Sequence, residues 1–285
     1  MIERVVVAGA GIMGAGIAQV VAQSGLQVTL VDVEPRAVAT ARERIGRALQ
    51  RMVDKEQLTA ADAAAACARI EGSTDLAAAV RDADHAIETV MEDLDVKRRV
   101  LGVLDDHAPE EVVLASNTSQ FSISLLAAAT RRPDRVIGSH WFNPPPVMDL
   151  IEVIRGVETS DETLRVTLEL AERYGKQTIV CSKDTQGFIT SRLIVLFALE
   201  AMRLVEEGVA EAADIDKACR LAFNHPMGPL ATIDFSGLDT TLKVADSMTD
   251  QYGERFRPPQ LLRSLVAAGR LGRKSGAGFS EYADA

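Results

Sequence analysis

The sequence predicts an α/β fold in which a mostly parallel sheet domain is followed by an all-helical domain. Over the first two-thirds of the 285-residue chain, short segments rich in Val, Ile and Leu alternate with longer segments of helical periodicity. That alternation is typical of a parallel sheet with helices on both faces. Near residue 185 a long apolar helix pattern begins, and little strand signal follows it. We therefore predict a first domain at residues 1–184 and a helical domain at residues 185–285.

Six segments of the first domain have the composition of strands. They lie at residues 4–10, 26–32, 84–90, 112–117, 135–140 and 150–156. Helical patterns cover residues 35–53, 59–68 and 93–107, and one long helix is expected to end at Gly208. Because this last helix is apolar on nearly every side, it should be buried, and a homodimer interface would bury it.

The overall composition excludes several classes of protein. Hydrophobic residues make up 47% and charged residues 25%, the balance of a globular chain, and the net charge of −10 argues against general nucleic-acid binding. The longest apolar run, at residues 193–199, is too short to span a bilayer, and a strand-like segment follows Met1 too closely for a signal segment. Three widely spaced cysteines without a ligand pattern predict free thiols, no metal site and a cytoplasmic location.

A glycine-rich pattern, "VVVAGAGIMGAGIA", follows the first predicted strand. Gly9, Gly11 and Gly14 have GxGxxG spacing, with Ile12 and Met13 between the second and third glycine. The first glycine permits a tight turn, the second lets the backbone approach a pyrophosphate, and the third allows a helix to pack closely on a strand. Because the pattern joins a strand to a helix, it predicts a Rossmann-type dinucleotide site.

An acidic residue, Asp32, ends the second predicted strand. A carboxylate there can accept hydrogen bonds from the adenosine ribose and would repel the 2′-phosphate of NADP. We therefore predict NAD as the cofactor, although Arg36, four residues later, leaves NADP open.

Four basic residues, Arg44, Arg47, Arg51 and Lys55, are spaced by three, four and four, and so share one face of the following helix. This basic stripe is either a solvated helix face or a recognition site for a phosphorylated ligand.

The stretch "GSHWFNPPPVMDLIEV" (138–153) combines a histidine, the single tryptophan and three consecutive prolines. His140 ends a predicted strand at the edge where open α/β sheets bind ligands. If the proline-rich loop turns the chain back, Glu152 on the next strand can reach the imidazole. A carboxylate beside a histidine orients the ring and stabilises the imidazolium, which makes a competent acid and base for alcohol oxidation.

A cluster of hydroxyl and amide side chains follows another predicted strand in "LASNTSQFSI" (114–123). Ser116, Asn117, Thr118 and Ser119 could form a helix cap and turn, or could place a hydroxyl beside a reacting oxygen. Composition leaves both open.

Taken together, these motifs resemble the L-3-hydroxyacyl-CoA dehydrogenases, especially those acting on short acyl chains. The resemblance covers essentially the whole chain and rests on "GAGIMGAGIA", "ETVMEDLDVK", "ASNTS", "HWFNPPPVMDLIEV", "KDTQGFI", "NHPMGPL" and "GRKSGAGF". It implies a Rossmann-type NAD domain followed by a helical dimerisation domain, with His140 as the acid/base and Glu152 as its partner.

The resemblance also implies roles for five further positions. Ser119 would hydrogen-bond the 3-oxygen of the substrate and lie beside the cofactor. Glu92, Lys97, Asn143 and Lys274 match positions that contact NAD in such enzymes. The basic stripe falls where the family meets the nucleotide of coenzyme A, which favours the binding interpretation.

Two positions depart from the family pattern. Ser191 stands where the family commonly has an asparagine, and Gln186 stands where proline is usual. A hydroxyl is shorter than a carboxamide, so Ser191 would place the substrate carbonyl differently or act through a water.

We therefore expect a cytoplasmic homodimer that uses NAD to interconvert (S)-3-hydroxyacyl-CoA and 3-oxoacyl-CoA. The favoured substrate is 3-hydroxybutyryl-CoA. Butyryl and adipyl chains both fit the sequence. The alternatives are a dehydrogenase of the same build that acts on a free hydroxy acid or sugar acid, and an NAD-binding protein without catalysis.

Overall fold

The computed structural model describes residues 2–282 and contains one eight-stranded sheet. Its spatial order is β3-β2-β1-β4-β5-β6-β7-β8, and every neighbouring pair is parallel except β6 and β7. The strands are β1 Arg4–Ala8, β2 Gln27–Val31, β3 Ile70–Ser73, β4 His85–Glu88, β5 Val113–Ser116, β6 Val136–Trp141, β7 Leu150–Arg155 and β8 Gln177–Cys181. The prediction of a mostly parallel sheet followed by helices is confirmed.

The two strands that the sequence did not reveal, β3 and β8, are the two edges of the sheet. Each pairs with a neighbour on one side only. Strand β3 reads IEGS, of which only Ile70 is buried, and β8 reads QTIVC, of which only Cys181 is buried. In contrast, every residue of β4, β5 and β6 is buried. A partly buried edge strand lacks the continuous apolar run that marks a central parallel strand.

The chain divides into two compact units, the first ending at Thr185 and the second beginning at Gln186. The helices of the first unit are α1 Ile12–Gln23, α2 Pro35–Asp54, α3 Ala60–Ala68, α4 Leu76–Ala79, α5 Leu94–His107, α6 Ile123–Ala127 and α7 Asp161–Arg173. Those of the second unit are α8 Thr190–Glu206, α9 Ala212–Ala222, α10 Pro229–Ser236, α11 Leu238–Tyr252 and α12 Gln260–Ala267. No helix within residues 2–282 is long and apolar enough to cross a bilayer.

Helix α2 follows its amphipathic pattern. Val38, Ala41, Ile45 and Leu49 are buried at helical spacing and pack in the core of the first unit. Burying a branched aliphatic side chain contributes roughly 1.5–3 kcal/mol, so this face holds the helix to the sheet. The basic stripe therefore lies on a helix whose other face is fixed.

The long apolar helix is only partly buried within its own unit, so its burial at a homodimer interface stays a prediction. Val195, Leu199 and Met202 of α8 lie in the core of the second unit, whereas Leu193 is 65% exposed. The helix begins at Thr190, because Gly187 and Phe188 have φ values of +73° and +49° that no right-handed helix contains.

Candidate active site

The fingerprint glycines, Asp32, Ser119 and His140 lie at or just after the carboxyl ends of parallel strands, whereas the basic stripe lies further along α2. The strand order reverses between the neighbouring strands β1 and β4: β2 and β3 follow on one side of this pair, and β5 to β8 follow on the other. Open α/β sheets bind ligands in the crevice at such a reversal. The loops that leave β1, β2, β4, β5 and β6 all begin at this edge, which is called the carboxyl edge below.

The three glycines of the fingerprint occupy three different environments. Gly9 has a φ of +109°, and a Cβ there would lie 2.8 Å from the backbone carbonyl of Thr89. A Cβ on Gly14 would lie 1.8 Å from the Gly9 oxygen, so this glycine allows α1 to approach the strand. Around Gly11, the residue that caps α1, a Cβ would meet no atom of the described chain within 4 Å. Open space beside a helix N-terminus is the environment that a pyrophosphate requires.

Asp32 follows β2 and its carboxylate faces the glycine loop. Its Oδ2 accepts a hydrogen bond of 2.8 Å from the Ala10 N–H, and its Oδ1 accepts one of 3.1 Å from the Glu34 N–H. The adjacent residue Val33 is exposed, as are Ile12, the first residue of α1, and Met91 after β4. Exposed apolar side chains beside a fingerprint loop suit the flat rings of a dinucleotide. The sequence prediction missed Val33 and Met91.

His140 and Glu152 form a buried pair. They are directly opposite each other in the antiparallel β6–β7 register, and the proline-rich loop joins the two strands. The His140 Nδ1 lies 3.0 Å from the Glu152 Oε2, and the glutamate is completely buried. Because a carboxylate accepts only, Nδ1 carries the proton of this bond and Nε2 is the nitrogen that can accept another. The Phe142 ring packs on the imidazole at a centroid distance of 4.6 Å.

Asn117 connects the loop after β5 to the strand that carries the histidine. Its Oδ1 accepts a hydrogen bond of 2.8 Å from the Trp141 N–H. The indole of Trp141 donates to the Ser139 Oγ at 3.1 Å and packs against Tyr174 at a centroid distance of 5.6 Å. The single tryptophan therefore has a structural role: its contacts hold the end of β6, where His140 lies.

Glu92, Lys97 and Ser119 are brought together by a second cluster, in which Lys97 is buried, Ser119 is half-buried and Glu92 is exposed. The Lys97 Nζ lies 3.1 Å from the Glu92 Oε2 and 2.9 Å from an Oε1 of Glu88. The Glu92 Oε1 accepts hydrogen bonds from the Thr118 hydroxyl at 2.5 Å and from the Ser119 N–H at 3.1 Å. The predicted cofactor residues after β4 are thus bonded to the "NTS" loop after β5. Glu88 was not among the predicted site residues.

The proline-rich loop is fixed from two sides. A Cβ on Gly16 of α1 would lie 2.8 Å from the Pro145 ring, so the loop and the fingerprint helix are in close contact. The Lys176 ammonium donates to the carbonyl oxygens of Pro145 at 2.9 Å and Met148 at 2.7 Å. Burial lowers the pKa of Lys176. This loop carries Asn143, and Lys176 is a further residue that the sequence prediction missed.

Asp184 fixes the far end of the loop that carries Ser119. Its carboxylate accepts hydrogen bonds from the Ser122 hydroxyl at 2.6 Å and from the N–H groups of Ile123 at 3.1 Å and Ser124 at 2.7 Å. These groups begin α6, whose first N–H groups have no partner within the helix. The conspicuous "KDTQGF" motif therefore has a positioning role in the first unit.

The four residues of the basic stripe on α2 differ in their exposure to solvent. Arg51 and Lys55 are exposed, and exposed Arg47 lies 3.6 Å from Glu43. Arg44 is half-buried, and its buried Nη1 has no hydrogen-bond partner among residues 2–282. A guanidinium nitrogen in this state is unusual and is suited to an added acceptor.

Two predicted site residues lie in the second unit. Ser191 is half-buried in the first turn of α8, and the Lys274 Nζ donates to the Asp239 Oδ1 at 2.6 Å, which lowers the pKa of Asp239. The unusual Gln186 donates from its amide to the Ser247 Oγ at 3.1 Å, and its carbonyl accepts from the Tyr252 hydroxyl at 2.9 Å. The glutamine is therefore held by α11.

Comparison with known proteins identifies relatives over the whole chain. Residues 4–185 match the 3-hydroxyacyl-CoA dehydrogenase NAD binding domain, and residues 187–282 match the 3-hydroxyacyl-CoA dehydrogenase C-terminal domain. A probable 3-hydroxybutyryl-CoA dehydrogenase of Bacillus subtilis is 44% identical, over 99% of this chain and 98% of the relative. A 3-hydroxybutyryl-CoA dehydrogenase of Mycobacterium tuberculosis is 42% identical, over 99% of both. The crystal structure of (S)-3-hydroxybutyryl-CoA dehydrogenase from Ralstonia eutropha has a TM-score of 0.96 at 43% identity and covers both chains completely.

Proposed function

The chain belongs to the 3-hydroxyacyl-CoA dehydrogenase family, and from that premise we propose that it interconverts (S)-3-hydroxybutyryl-CoA and acetoacetyl-CoA with NAD and a His140–Glu152 dyad. The observation that carries this proposal is the 3.0 Å contact between the His140 Nδ1 and the buried Glu152 Oε2 at the carboxyl edge. The names of the relatives support a short acyl chain.

NAD is the cofactor of this family, and the residues at the carboxyl edge fit it. The open space at Gly11 would receive the pyrophosphate at the N-terminus of α1, and the Asp32 carboxylate would accept hydrogen bonds from the adenosine ribose. Ile12, Met13, Glu92, Ser119, Asn143 and Lys274 are the other proposed cofactor residues. When bound, the oxidised nicotinamide supplies the hydride acceptor for the alcohol carbon.

His140 performs the proton transfer in this proposal. During oxidation the Nε2 accepts the proton of the 3-hydroxyl while the C–H bond breaks and its electron pair leaves as hydride. Glu152 accepts the Nδ1–H and stabilises the imidazolium that forms. In the reverse direction the same nitrogen returns the proton to the 3-oxygen. Ser119 hydrogen-bonds that oxygen, and Ser191 contributes a hydroxyl to the substrate carbonyl.

The basic stripe is proposed to bind the phosphates of coenzyme A. The unpartnered Arg44 Nη1 and the exposed Arg47, Arg51 and Lys55 supply donors for phosphate oxygens. Replacing Arg47 and Arg51 with Ala should raise the KM for the CoA ester about tenfold or more and leave the KM for NADH nearly unchanged. Equal changes in both KM values would refute this assignment.

Homodimerisation is proposed to cover the apolar face that α8 leaves exposed. Leu193, Ile194 and Leu196 of α8 and Leu221 and Phe223 near the end of α9 are exposed large apolar residues. Several large apolar side chains exposed on neighbouring helices form the kind of surface that marks a protein–protein interface. Sedimentation of the purified chain as a monomer at micromolar concentration would refute the dimer, and Leu193→Asp should weaken it.

The three cysteines, of which only Cys67 is exposed, are all free thiols. Free thiols support a reducing, cytoplasmic compartment, which fractionation of the producing cell with detection of this chain would test.

The deciding experiment follows NADH absorbance with acetoacetyl-CoA, with free acetoacetate and NADPH in parallel. Rapid loss with the CoA ester and NADH alone is the expected outcome. Loss with free acetoacetate would indicate a dehydrogenase of free hydroxy acids. NADH binding without turnover of acetoacetyl-CoA, longer CoA esters or dicarboxylic CoA esters would indicate a non-catalytic protein.

A further inference from the structure

The motif "GRKSGAGF", of which the proposed reaction uses only Lys274, belongs to a compact loop at residues 272–282. Two antiparallel bridges fold this loop, one between Gly272 and Ala277 and one between Ala277 and Glu281. The Gly272 N–H donates to the Ala277 carbonyl oxygen at 2.8 Å, which closes a short 3-10 turn around Lys274. The position of Lys274 therefore depends on what holds these residues, which are called the lysine loop below.

Asp234, near the end of α10, bonds to the lysine loop at three points. Its Oδ1 accepts a hydrogen bond of 2.9 Å from the Phe279 N–H. Its Oδ2 accepts one of 3.0 Å from the Ser280 N–H and one of 2.8 Å from the Tyr282 hydroxyl. The aspartate is only 1% exposed, and a carboxylate so far from water requires donors of this kind. All three donors lie in the lysine loop, so one buried side chain joins the loop to α10.

Two glycines allow the lysine loop to approach Asp234 on both sides of the lysine. A Cβ on Gly272 would overlap the Asp234 carbonyl oxygen, and a Cβ on Gly278 would overlap the Asp234 Oδ1. Gly272 also has a φ of +94°, which favours glycine. Asp234 therefore contacts the chain both before and after the turn that carries Lys274.

Arg273, the residue before the lysine, is held by the neighbours of this carboxylate. Its guanidinium carbon lies 5.5 Å from the centroid of the Phe235 ring and 5.3 Å from that of the Tyr282 ring. Both distances are within the range of a cation–π contact. Phe235 follows Asp234 in the chain, and Tyr282 is bonded to it. The turn is thus fixed at the residue next to Lys274 as well as at its two ends.

We propose that Asp234 is a positioning residue of the cofactor site, which acts on NAD through the lysine loop by holding Lys274 in place. The inference rests on the proposed function, because Lys274 is one of the proposed cofactor residues. It assigns a role to a buried carboxylate that the proposed reaction does not use, and it explains the two glycines that flank the lysine turn.

Asp239 reports where Lys274 lies, because the Lys274 Nζ donates to its Oδ1 at 2.6 Å and this bond lowers the pKa of Asp239. In Asp234→Asn one carboxylate oxygen becomes an amide nitrogen, which cannot accept from the loop N–H groups. The pKa of Asp239, followed by carbon NMR in a pH titration, should then rise by about half or more of its rise in Lys274→Met. Loss of the Asp234 charge by itself would lower this pKa, so a rise identifies displacement of the lysine. An unchanged pKa would overturn the proposal.

Gly278→Ala tests the same point without a change of charge, and decides it if Asp234→Asn does not fold. The added methyl group would overlap the Asp234 Oδ1 and displace the lysine loop from α10. The Arg270 guanidinium donates to the Gly278 carbonyl oxygen at 3.0 Å and 2.7 Å, and these bonds can still hold the loop together. This variant should also raise the pKa of Asp239, and the pKa of the unmodified chain would contradict the proposal.

A double-mutant cycle tests whether Asp234 acts on the cofactor through the lysine. Lys274→Met should raise the Kd for NADH about tenfold and Asp234→Asn about fivefold, measured by fluorescence titration. Asp234→Asn added to Lys274→Met should change the Kd by less than about twofold, since the group it positions is already gone. Losses that multiply in the double variant would overturn the proposal.

The two measurements separate this inference from the proposed function. An unchanged NADH Kd in Lys274→Met would refute the proposed cofactor contact of Lys274. The Asp239 titration needs neither cofactor nor substrate, so it would still decide whether Asp234 holds the lysine.

The matched control is Asp216→Asn at the other end of α10. Asp216 also accepts from backbone N–H groups, those of Leu230 at 2.8 Å and Ala231 at 2.9 Å, but these bonds lead to the start of the helix. This variant should lower the Tm and leave both the NADH Kd and the pKa of Asp239 unchanged. Equal effects on NADH affinity in Asp216→Asn and Asp234→Asn would mean that both report stability alone, which would overturn the positioning role.

Discussion

Two buried histidines lie on strands of the same sheet and have opposite surroundings. His85 is the first residue of β4 and is 2% exposed, whereas His140 is the fifth residue of β6 and is 7% exposed. The strand neighbours of His85 in register are Val5 and Val113. The register neighbour of His140 on β7 is Glu152. Burial and residue type are therefore the same, and the neighbouring side chains differ.

The difference in neighbours changes the chemistry of the ring. The buried Nδ1 of His85 has no hydrogen-bond partner among residues 2–282, and burial lowers the pKa of this histidine to about 4. His85 is thus neutral and serves as a core residue. The Nδ1 of His140 is bonded to a carboxylate at the edge where ligands bind. A histidine in this sheet can be an acid/base only where a carboxylate supports it.

The largest effect should separate the two histidines directly. His140→Gln is expected to lower kcat for acetoacetyl-CoA reduction roughly 10³-fold, because the proton donor is lost. His85→Gln should keep kcat within about twofold of the unmodified chain, because His85 begins β4 and so lies at the end of the strands opposite the carboxyl edge. Steady-state kinetics with NADH measure both. Comparable losses of kcat in the two variants would contradict the assignment of His140.

The partner carboxylate should contribute through the same step. Glu152→Gln is expected to lower kcat about 10²-fold, since the imidazolium loses its counter-charge. When Glu152→Gln is added to His140→Gln, kcat should fall no further, because two residues that act as a unit are not additive. A double variant in which the two losses multiply would show that Glu152 acts independently of the histidine.

The neutrality of His85 predicts how the free energy of unfolding depends on pH. The imidazole of His85 has a pKa of 6.5 in the unfolded chain, whereas burial lowers its pKa to about 4 in the folded chain. The unfolded state therefore binds more protons between these values, so the stability contributed by neutral His85 is present above pH 6.5 and is lost as pH falls toward 4. The loss approaches roughly 3 kcal/mol.

Urea denaturation at several pH values between 7 and 4.5 measures this loss. His85→Gln should have a flatter dependence than the unmodified chain, since the other titrating groups are unchanged. Parallel curves for the two proteins would refute an abnormal titration of His85.

The smallest effect should come from the loop that follows His140. Lys176→Met removes the two hydrogen bonds to the Pro145 and Met148 carbonyls and should raise the KM for NADH roughly fivefold, because Asn143 lies on this loop. Lys176→Arg keeps a cation and should restore most of the affinity. If Lys176→Arg and Lys176→Met raise KM equally, the hydrogen bonds of the ammonium are not what holds the loop.

The sequence predicted the central strands more readily than the edges. Every residue of β4, β5 and β6 is buried, as is every residue of β1 except Arg4, and the apolar runs within these strands are visible without any structure. The edge strand β3 has one buried residue in four. Its place in the sheet depends on pairing with β2, and composition carries no record of that pairing.

The same limit applies to the site. Gly9, Gly14 and Asp32 could be named because a local turn and the residue after a strand have fixed spacings. Glu88 and Lys176 were missed because their partners, Ser116 and the Pro145 carbonyl, are 28 and 31 residues away along the chain. A buried glutamate at a strand end looks the same in sequence whether or not a lysine reaches it.

The fold class, the fingerprint loop and the histidine–glutamate pair could be predicted from sequence, because each depends on short-range periodicity, on turn geometry or on two strands joined by one loop. Only the folded chain reveals the pairing of the edge strands, the ion pair between buried Lys97 and buried Glu88, and the neutrality of His85. These features arise from groups distant in sequence that meet in a medium without water, where each buried donor or charge must find its partner within the fold.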